Sequence, residues 1–405
     1  MMITLQQAFD LVLQHTPRLP AETIALVQAS GRVLAEDVIS DLDQPPFARS
    51  SMDGYAVRAA DVAQAPVQLQ VAGFIPAGVV PHIKIEKGQA AKIMTGAPVP
   101  EGADAVQMVE KTRLANDGKT VEILAAVSAG QNIAPMGSEA RAGQVVAHAG
   151  SFISPAMIGL LASVGKSEVS VYRTPTVGII ATGDELVAID QKPNAGQIRN
   201  SNSFALAAQV AKLGVTPQLL GVARDEKKHI YDLIRQGLQY DVLLLTGGVS
   251  MGDLDLVEEV FAELSFKVYF DKVAVKPGKP VVFAKSGEKL IFGLPGNPVS
   301  TATMFELLAR PAIRKMMGFS VYQNQIVSAQ LAEPFKNRSQ REFYAPAKTW
   351  YDGKHFHVQP LKAKGSGDVV TYAQSNCYLI CPIEQVEFNA GEEVKVMLRT
   401  EFFYY

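Results

Sequence analysis

Cysteine is nearly absent from this chain of 405 residues, which contains two. So small a number excludes a disulfide-stabilised scaffold, a cysteine-rich zinc site and an iron–sulfur cluster held by cysteines. Cys377 and Cys381 stand four positions apart, not in a CxxC redox motif, and we expect both to be small buried residues of a β segment. The six histidines form no HExxH motif, so a zinc-hydrolase signature is also missing.

Net charge and long apolar runs are lacking too. Lys and Arg number 38 against 40 Asp and Glu, so the net charge is −2. A chain this close to neutral has no general attraction to nucleic acid or to an anionic membrane, and a local pocket must hold any anion that it binds. No apolar run approaches the roughly 20 residues that span a bilayer, and the N-terminus lacks the basic segment of a secretory signal. We expect a cytoplasmic protein that binds neither nucleic acid nor membrane.

What is present is enough apolar sequence for several buried cores, at 48% of the residues. At about 150 residues per domain, the length predicts two to four domains. Changes in hydrophobic periodicity favour four, and the predicted fold is a multidomain α/β architecture. The predicted domains are a helical and extended N-terminal domain (1–45 plus 140–173), an inserted β-rich domain (46–139), a doubly wound, mostly parallel α/β domain (174–318) and a C-terminal β domain that forms a small barrel or sandwich (319–405).

Local signals support this division. Leu5, Ala8, Phe9 and Val12 lie on one face of a predicted N-terminal helix, for which Thr4 and Gln7 form a capping box. We expect this helix to pack with a second one at 154–165. Turn sequences at 116–118 and 352–353 predict hairpins in the two β-rich regions.

From residue 174 onwards, predicted strands and helices alternate, which is typical of a mostly parallel sheet covered on both faces. The predicted strands are 177–181, 218–222, 241–245, 267–270 and 290–293, and the predicted helices are 203–213, 227–238, 255–264 and 299–317.

The loops of this α/β region contain an unusual number of glycines, carboxylates and lysines. Ligands of such sheets bind beyond the carboxyl ends of the strands, which here are followed by the loops 182–186, 224–226, 246–255 and 294–300, with 276–280 between the last two. Glycine backbones let N–H groups approach phosphate oxygens. Carboxylates on neighbouring loops indicate a hard cation such as Mg²⁺, and lysines would neutralise a further anion. Each loop alone could be a plain turn, and Asp255 could simply cap its helix.

The glycine loops match neither common nucleotide motif, since GGVSMG is not GxGxxG and Lys279 is followed by proline. Instead, six motifs occur in a characteristic order: MDGYAV (52–57), IMTGAPVPEGADAV (93–106), TGDEL (182–186), GGVSMGD (247–253), KPGKP (276–280) and GLPGNPVS (293–300). With these motifs the chain resembles the molybdopterin molybdenumtransferase (MoeA) family, relatives of the gephyrin E domain, over essentially its whole length.

The resemblance implies an enzyme of molybdenum cofactor biosynthesis. Members of this family insert molybdate into adenylylated molybdopterin and release AMP, with a divalent cation such as Mg²⁺. The sulfur ligands of the metal come from the pterin, which agrees with the scarcity of cysteine. The family forms homodimers whose active site lies between the α/β domain of one subunit and the inserted domain of the other. The molybdopterin-adenylylating enzyme and apo-molybdoenzymes are the further partners that it implies.

The resemblance also assigns residues. Asp53 and Thr95 would face the site from the inserted domain. The carboxylates Glu185, Asp225 and Asp255 would hold the metal, and Lys276 and Lys279 would bind the anion. The implied substrate-binding residues are Gly247, Gly248, Ser250, Gly252, Asp253, Pro280, Pro295, Gly296, Asn297, Pro298, Ser300, Arg341 and Ser366.

This chain departs from the family pattern at Arg49, Glu139, Asn200 and Gln340. Two other functions remain open at this point. The α/β region alone resembles enzymes that adenylylate molybdopterin, and a gephyrin-like chain could serve as a peptide-binding scaffold. ATP consumption would distinguish the first from metal insertion. The intact acidic loops favour catalysis over the second.

Overall fold

The structure, a computed structural model, describes residues 2–248 and 256–399. The candidates Ser250, Gly252, Asp253 and Asp255 and the aromatic end at 402–405 lie outside the described residues. Within the described ranges, no helix combines the length and the apolar character needed to cross a membrane. The predicted fold class is confirmed: helices and strands are mixed, around a mostly parallel central sheet and a C-terminal barrel.

The N-terminal helix Leu5–His15 begins with the predicted capping box. The Thr4 hydroxyl accepts from the Gln7 amide, and the Gln7 side chain accepts from the Thr4 amide. The expectation that this helix packs with the helix Pro155–Ser163 is wrong. Its buried Ala8 and Val12 lie in the core of the α/β region, whereas Pro155–Ser163 packs within a separate cluster. Periodicity identified the buried face correctly, but it carries no information on what covers that face.

Short paired strands connect this helix to the β-rich insertion. The antiparallel pairs are Ala21–Ala25 with Glu168–Tyr172, Val38–Ile39 with Val145–Ala147, and Arg49–Ser50 with Ile133–Ala134. The inserted sheet has the strand order Ala105–Met108, Gly54–Val57, Gln89–Ile93, Val67–Ile75, Thr120–Ile123, Thr112–Leu114. Its last two strands form the hairpin predicted from Asn116, Asp117 and Gly118.

The central sheet has the strand order Pro217–Ala223, Val177–Thr182, Val242–Thr246, Lys289–Leu294, Pro280–Ser286, Lys267–Lys272. The first four of these strands are parallel to one another. Pro280–Ser286 is antiparallel to Lys289–Leu294, and Lys267–Lys272 is antiparallel to Pro280–Ser286. Adjacent side chains of one strand point to opposite faces, so Ile179 is buried in one core and Ile180 in the other. Helices therefore cover both faces of the sheet.

The covering helices follow the predictions closely. They are Asn202–Ala211, Lys227–Gly237, Leu256–Glu263 and a closing helix formed by Pro298–Met304, Phe305–Ala309 and Arg310–Met316. The middle segment of the closing helix is π-helical, where the sequence predicted an uninterrupted helix. The interruption directly precedes Pro311, whose nitrogen cannot donate the usual hydrogen bond to the carbonyl four residues earlier.

In the C-terminal region, five strands of the described chain close into a barrel, which decides between the two predicted forms. In order around the barrel they are Glu342–Tyr351, Phe356–Pro360, Ile326–Leu331, Glu393–Leu398 and Cys377–Cys381, with the last paired to the first. Both cysteines are buried in their strand, as predicted, and burial raises the pKa of the Cys381 thiol to about 12. The short strand Val275–Lys276 pairs with Glu342–Tyr351 and so links the barrel to the α/β region.

Candidate active site

The loops with candidate residues meet at one edge of the central sheet. The parallel strands end there, at Thr182, Ala223, Thr246 and Leu294. The turn at 276–280 reaches the same edge because strand Pro280–Ser286 runs antiparallel to its neighbour, so that its beginning lies beside their ends. Strand direction thus explains how a loop that follows no parallel strand joins the others.

A narrow cleft of about 50 Å³ opens at this edge. Among the described residues that line it, Glu185 is the one carboxylate and Arg199 the one cation. Gly247 has a φ of 89°, and a Cβ at this position would lie 2.5 Å from the carbonyl oxygen of Thr182. Only glycine fits without strain, and its bare backbone lines the cleft, as a site for phosphate oxygens requires.

A buried hydroxyl of the cleft has no partner. Thr182 is 2% exposed, and its Oγ1 has no hydrogen bond within the described part of the chain. An unsatisfied buried polar group destabilises a fold by about 1–3 kcal/mol. Such a group at the end of a strand, inside a cleft, is therefore a candidate donor to a ligand.

Asn202 connects the two sides of the cleft. Its Nδ2 donates to the Thr246 hydroxyl at 2.9 Å and to the carbonyl of Gly296 at 2.8 Å. The Thr301 hydroxyl donates to the carbonyl of Pro295, which orients the same loop from behind. Pro295 itself lines neither this cleft nor the larger cavity described below. Sequence reasoning assigned no role to Thr182 or Asn202. The bonds of Asn202 join distant loops and leave no local pattern, and the lack of a partner for the Thr182 hydroxyl is visible only in three dimensions.

The carboxylates Asp184 and Asp225 lie on adjoining loops beside Glu185. The amide of Asp225 donates to the Asp184 carboxylate at 3.2 Å, and the amide of Asp184 donates to the Asp225 carboxylate at 3.5 Å. Backbone N–H groups thus hold the two acidic residues together, and no basic side chain takes part in these two hydrogen bonds. Within the described residues, no three of His, Cys, Asp or Glu are grouped closely enough to hold a metal ion unaided.

A larger cavity, of about 330 Å³, lies between the α/β region and the barrel, and we call it the anion cavity. The turn at 276–280 and the start of the closing helix form one wall, and barrel residues form the other. The candidates that line it are Lys276, Lys279, Pro280, Asn297, Ser300, Arg341 and Ser366. The Ser366 carbonyl accepts from the amide of Val299 at 3.0 Å, which holds the barrel loop against the helix.

The anion cavity is strongly basic. Its described lining contains two lysines and an arginine and no carboxylate. The Lys276 ammonium lies 4.6 Å from the centre of the Phe343 ring, and Arg341 donates to the carbonyl of Val275 at 2.9 Å. Neither cation is neutralised by an acid, and the described residues provide no hydrogen-bond partner for the Lys279 ammonium. The cavity can therefore concentrate an oxyanion locally, although the whole chain is slightly acidic.

The two spaces lie on opposite sides of the loop at 296–300. Glu185, Gly247, Gly296 and Pro298 line the cleft, while Asn297 and Ser300 line the anion cavity. Asp225 and Gly248 line neither space, although both are on loops at the same edge. The arrangement separates a carboxylate-bearing side from a cationic side.

Asp53 and Thr95 lie away from this edge, on the inserted sheet. The Asp53 carboxylate accepts from the amide and the hydroxyl of Thr95, both at 2.7 Å, and these bonds lower its pKa. Both residues are exposed, and neither lines the cleft or the anion cavity. Within one chain, the structure does not bring them to the other candidates.

Two of the departures from the family pattern are in contact. Arg49 and Glu139 form an ion pair at 2.9 Å. Asn200 is buried and lines the cleft, and its side-chain oxygen accepts from the amide of Ser203. We have no structural account of Gln340.

Comparison with known proteins agrees with this architecture. Family models match the MoeA N-terminal region (domain I and II) at residues 3–165, the probable molybdopterin binding domain at 178–315 and the MoeA C-terminal region (domain IV) at 328–398. A molybdopterin molybdenumtransferase of Staphylococcus aureus is 34% identical over 401 residues, covering 98% of this chain and 95% of that protein. One of Staphylococcus epidermidis matches to the same extent.

Solved structures show the same similarity in three dimensions. The crystal structure of the molybdopterin biosynthesis MoeA protein of Pyrococcus horikoshii superposes with a TM-score of 0.83 at 32% identity. The match covers 98% of this chain and 100% of that one. With the three family models arranged in order along the sequence, these matches show that the chain belongs to the MoeA family.

Proposed function

We propose that this protein is a molybdopterin molybdenumtransferase that takes adenylylated molybdopterin and molybdate, transfers the metal to the dithiolene and releases AMP. The observation that carries the proposal is the cationic anion cavity adjoining a carboxylate-bearing cleft across one loop. Such a pair of spaces suits a reaction that joins an oxyanion to a substrate with a phosphoanhydride. The names of the curated relatives support it.

In this proposal the anion cavity binds molybdate. Lys276, Lys279 and Arg341 provide positive charge from both walls of a space whose described lining contains no carboxylate. The hydroxyls of Ser300 and Ser366 can donate to the remaining oxygens. Because no carboxylate of the lining competes for the cations, a dianion gains their full attraction on leaving water.

The cleft binds the phosphoanhydride. The backbone of Gly247 and Gly296 lies against phosphate oxygens, and the unpartnered Thr182 hydroxyl donates to one of them. Asn202 keeps the two loops at a fixed separation, so the donors are already in place when the substrate arrives. Ordered donors of this kind stabilise the charge that develops as the bond to AMP breaks.

The donors fit Mg²⁺ when the substrate completes its coordination. Mg²⁺ commonly takes one or two carboxylates together with phosphates and water, and Glu185 and Asp225 are the carboxylates that would hold it here. Bound there, the ion would neutralise charge on the phosphoanhydride oxygens. We propose that activity depends on Mg²⁺, because the ion would complete its coordination with phosphate oxygens of the substrate and water; the described residues do not form a complete metal site by themselves.

We propose a homodimer in which Asp53 and Thr95 face the anion cavity or cleft of the partner subunit. The support is that both residues are exposed and line neither space of their own chain, and that the adjacent Met52 side chain is 41% exposed. The adenylylating enzyme and apo-molybdoenzymes are proposed as transient partners, in the cytoplasm.

The test uses purified protein with adenylylated molybdopterin, molybdate and MgCl₂ under anaerobic conditions. We expect AMP release that depends on both molybdate and MgCl₂, together with transfer of molybdenum to the pterin. Consumption of ATP with metal-free molybdopterin would instead indicate an adenylyltransferase. The absence of both activities in a dimeric protein that binds an aromatic peptide would indicate a scaffold. We favour the transferase because the flanking N-terminal and C-terminal regions would be superfluous for adenylylation alone.

A further inference from the structure

A short loop of the barrel region, residues 363–367, carries Ser366 to the wall of the anion cavity. Ala363 and Gly365 line the same wall. Ser366 stands between two glycines, and Gly365 has a φ of 149°, in a region that other residues rarely adopt. A loop of this composition has many accessible backbone conformations, so the position of the Ser366 hydroxyl depends on the contacts that hold the loop.

One carboxylate holds this loop from its C-terminal end. Asp368 accepts from the amide of Lys364 at 3.0 Å, across the intervening residues. Among the described residues, no other side chain makes a hydrogen bond to residues 363–367. On the opposite side, the Val299 amide donates to the Ser366 carbonyl at 3.0 Å. The carboxylate therefore closes the loop on the barrel side, and the closing helix holds it on the other.

The same carboxylate also caps a helix. Asp368 immediately precedes the helix Val369–Gln374, and its other oxygen accepts from the Thr371 amide at 3.0 Å. The oxygen that accepts from Lys364 also accepts from the Thr371 hydroxyl, at 2.8 Å. These hydrogen bonds, that from the Lys364 amide above all, lower the pKa of Asp368 to about 2, so the carboxylate is ionised at neutral pH. One oxygen thus serves the helix, and the second serves the loop.

Asp368 does not line the anion cavity, and its negative charge opposes the attraction of the cavity for a dianion. Any benefit to molybdate binding must therefore come from geometry. The Ser366 hydroxyl has no hydrogen-bond partner among the described residues, so it is free to donate to a ligand. We propose that Asp368 is a positioning residue, which holds the Ser366 hydroxyl at the anion cavity through the Lys364 amide; the assignment rests on the proposed function.

The test measures molybdate binding by titration calorimetry and the molybdate dependence of AMP release. Asp368→Asn keeps a single acceptor oxygen, so it cannot accept from the Lys364 and Thr371 amides together. Thr371→Val is the matched control, because it removes only the hydroxyl donor to the same carboxylate and leaves both amides bound. The melting temperatures of both variants monitor the fold.

We expect Asp368→Asn to weaken molybdate binding about fivefold or more, as for the loss of one hydrogen bond, although the substitution removes a negative charge. The effect should appear in the molybdate concentration for half-maximal AMP release rather than in the rate at saturating molybdate. Unchanged or tighter binding would overturn the proposal and leave Asp368 as a helix cap. Equal weakening by Thr371→Val would also overturn it, because the helix and not the loop would then be responsible.

A double-mutant cycle with Ser366→Ala tests whether Asp368 acts through Ser366. If it does, Asp368→Asn weakens molybdate binding in the wild-type chain but not in a chain that already lacks the hydroxyl. The same fold-change in both backgrounds would overturn the proposal, because a general disturbance of the barrel does not depend on the Ser366 hydroxyl.

Binding and turnover together separate this proposal from the function on which it rests. A wild-type protein that binds molybdate with the expected dependence on Asp368, yet releases no AMP, removes the transferase and leaves the positioning residue. A wild-type protein that releases AMP, with a molybdate dependence that Asp368→Asn does not alter, removes the positioning residue and leaves the transferase. Neither molybdate binding nor AMP release in the wild-type protein would overturn both.

Discussion

One oxygen of the Asp53 carboxylate accepts both the amide and the hydroxyl of Thr95, each at 2.7 Å. The pair fixes the loop at 95 against the loop at 53, and the lowered pKa keeps Asp53 ionised. An ionised acceptor with both donors on one oxygen keeps its second oxygen for another group. In the proposed homodimer, that group belongs to the partner subunit or to its substrate.

The first prediction tests this arrangement by complementation. Asp53→Ala and Glu185→Ala subunits should each be inactive as homodimers. Random mixing gives heterodimers in half of the molecules, each with one intact site of two, so about a quarter of wild-type AMP release should return. Differently tagged subunits measure the fraction of heterodimers. Heterodimers that form but remain inactive would contradict a site shared between subunits.

The second prediction concerns the cations of the anion cavity. Lys279→Gln should raise the molybdate concentration for half-maximal activity at least tenfold, about 1.4 kcal/mol, because the described residues give its ammonium no partner and the described lining contains no carboxylate. The melting temperature should not change. Lys348→Gln is the control for loss of charge elsewhere, because Lys348 is exposed and lines neither the cleft nor the anion cavity. An unchanged molybdate dependence would mean that residues 276–280 form only a solvated basic turn.

The third prediction distinguishes catalytic from structural carboxylates. Asp225→Asn should reduce AMP release by about 100-fold or more and should raise the MgCl₂ requirement. The free energy of unfolding should change by less than about 1 kcal/mol, because the side-chain amide oxygen of the new asparagine can still accept from the Asp184 backbone N–H. Chemical denaturation and a MgCl₂ titration measure the two effects. Full activity with reduced stability would make Asp225 a loop-stabilising residue instead.

The fourth prediction uses the unpartnered hydroxyl of Thr182. Thr182→Val has the same shape but no polar atom, so the free energy of unfolding should stay equal or rise by about 1 kcal/mol. Substrate binding should weaken, because the donor to the phosphoanhydride is lost. A stability gain together with a higher KM is the expected signature. Loss of stability with an unchanged KM would show that the hydroxyl serves the fold.

The fifth prediction concerns acid stability. Burial alone would raise the pKa of Asp241, but hydrogen bonds from Arg173 and Thr176 lower this pKa to about 2, well below the usual value of a carboxyl group. A lowered pKa stabilises the fold above about pH 4, and this contribution, about 2 kcal/mol, is lost as the pH falls towards 2. Arg173→Met should make acid unfolding begin at a higher pH, measured by circular dichroism. An unchanged midpoint pH of acid unfolding would show that the Arg173–Asp241 pair does not determine acid stability.

The central sheet could be read from the sequence because its buried parallel strands are continuous apolar runs, as at 177–182 and 242–246. The position of the turn at 276–280 depended on the direction of the strand that follows it, and hydropathy does not encode direction. The predicted packing partner of helix Leu5–His15 was wrong for a related reason, because an apolar face does not determine which element covers it. Thr182 belongs to a recognised motif, but only three-dimensional placement shows that its hydroxyl has no partner among the described residues.

The strand Val275–Lys276 adds to the edge of the barrel through Glu342 and Phe343, although it belongs in sequence to the α/β region. The barrel therefore forms one wall of the anion cavity. A chain shortened after the closing helix would lose this strand partner and the far side of the anion cavity at once. Its sheet could still fold, but it would present two lysines on an open surface, where water competes for every anion.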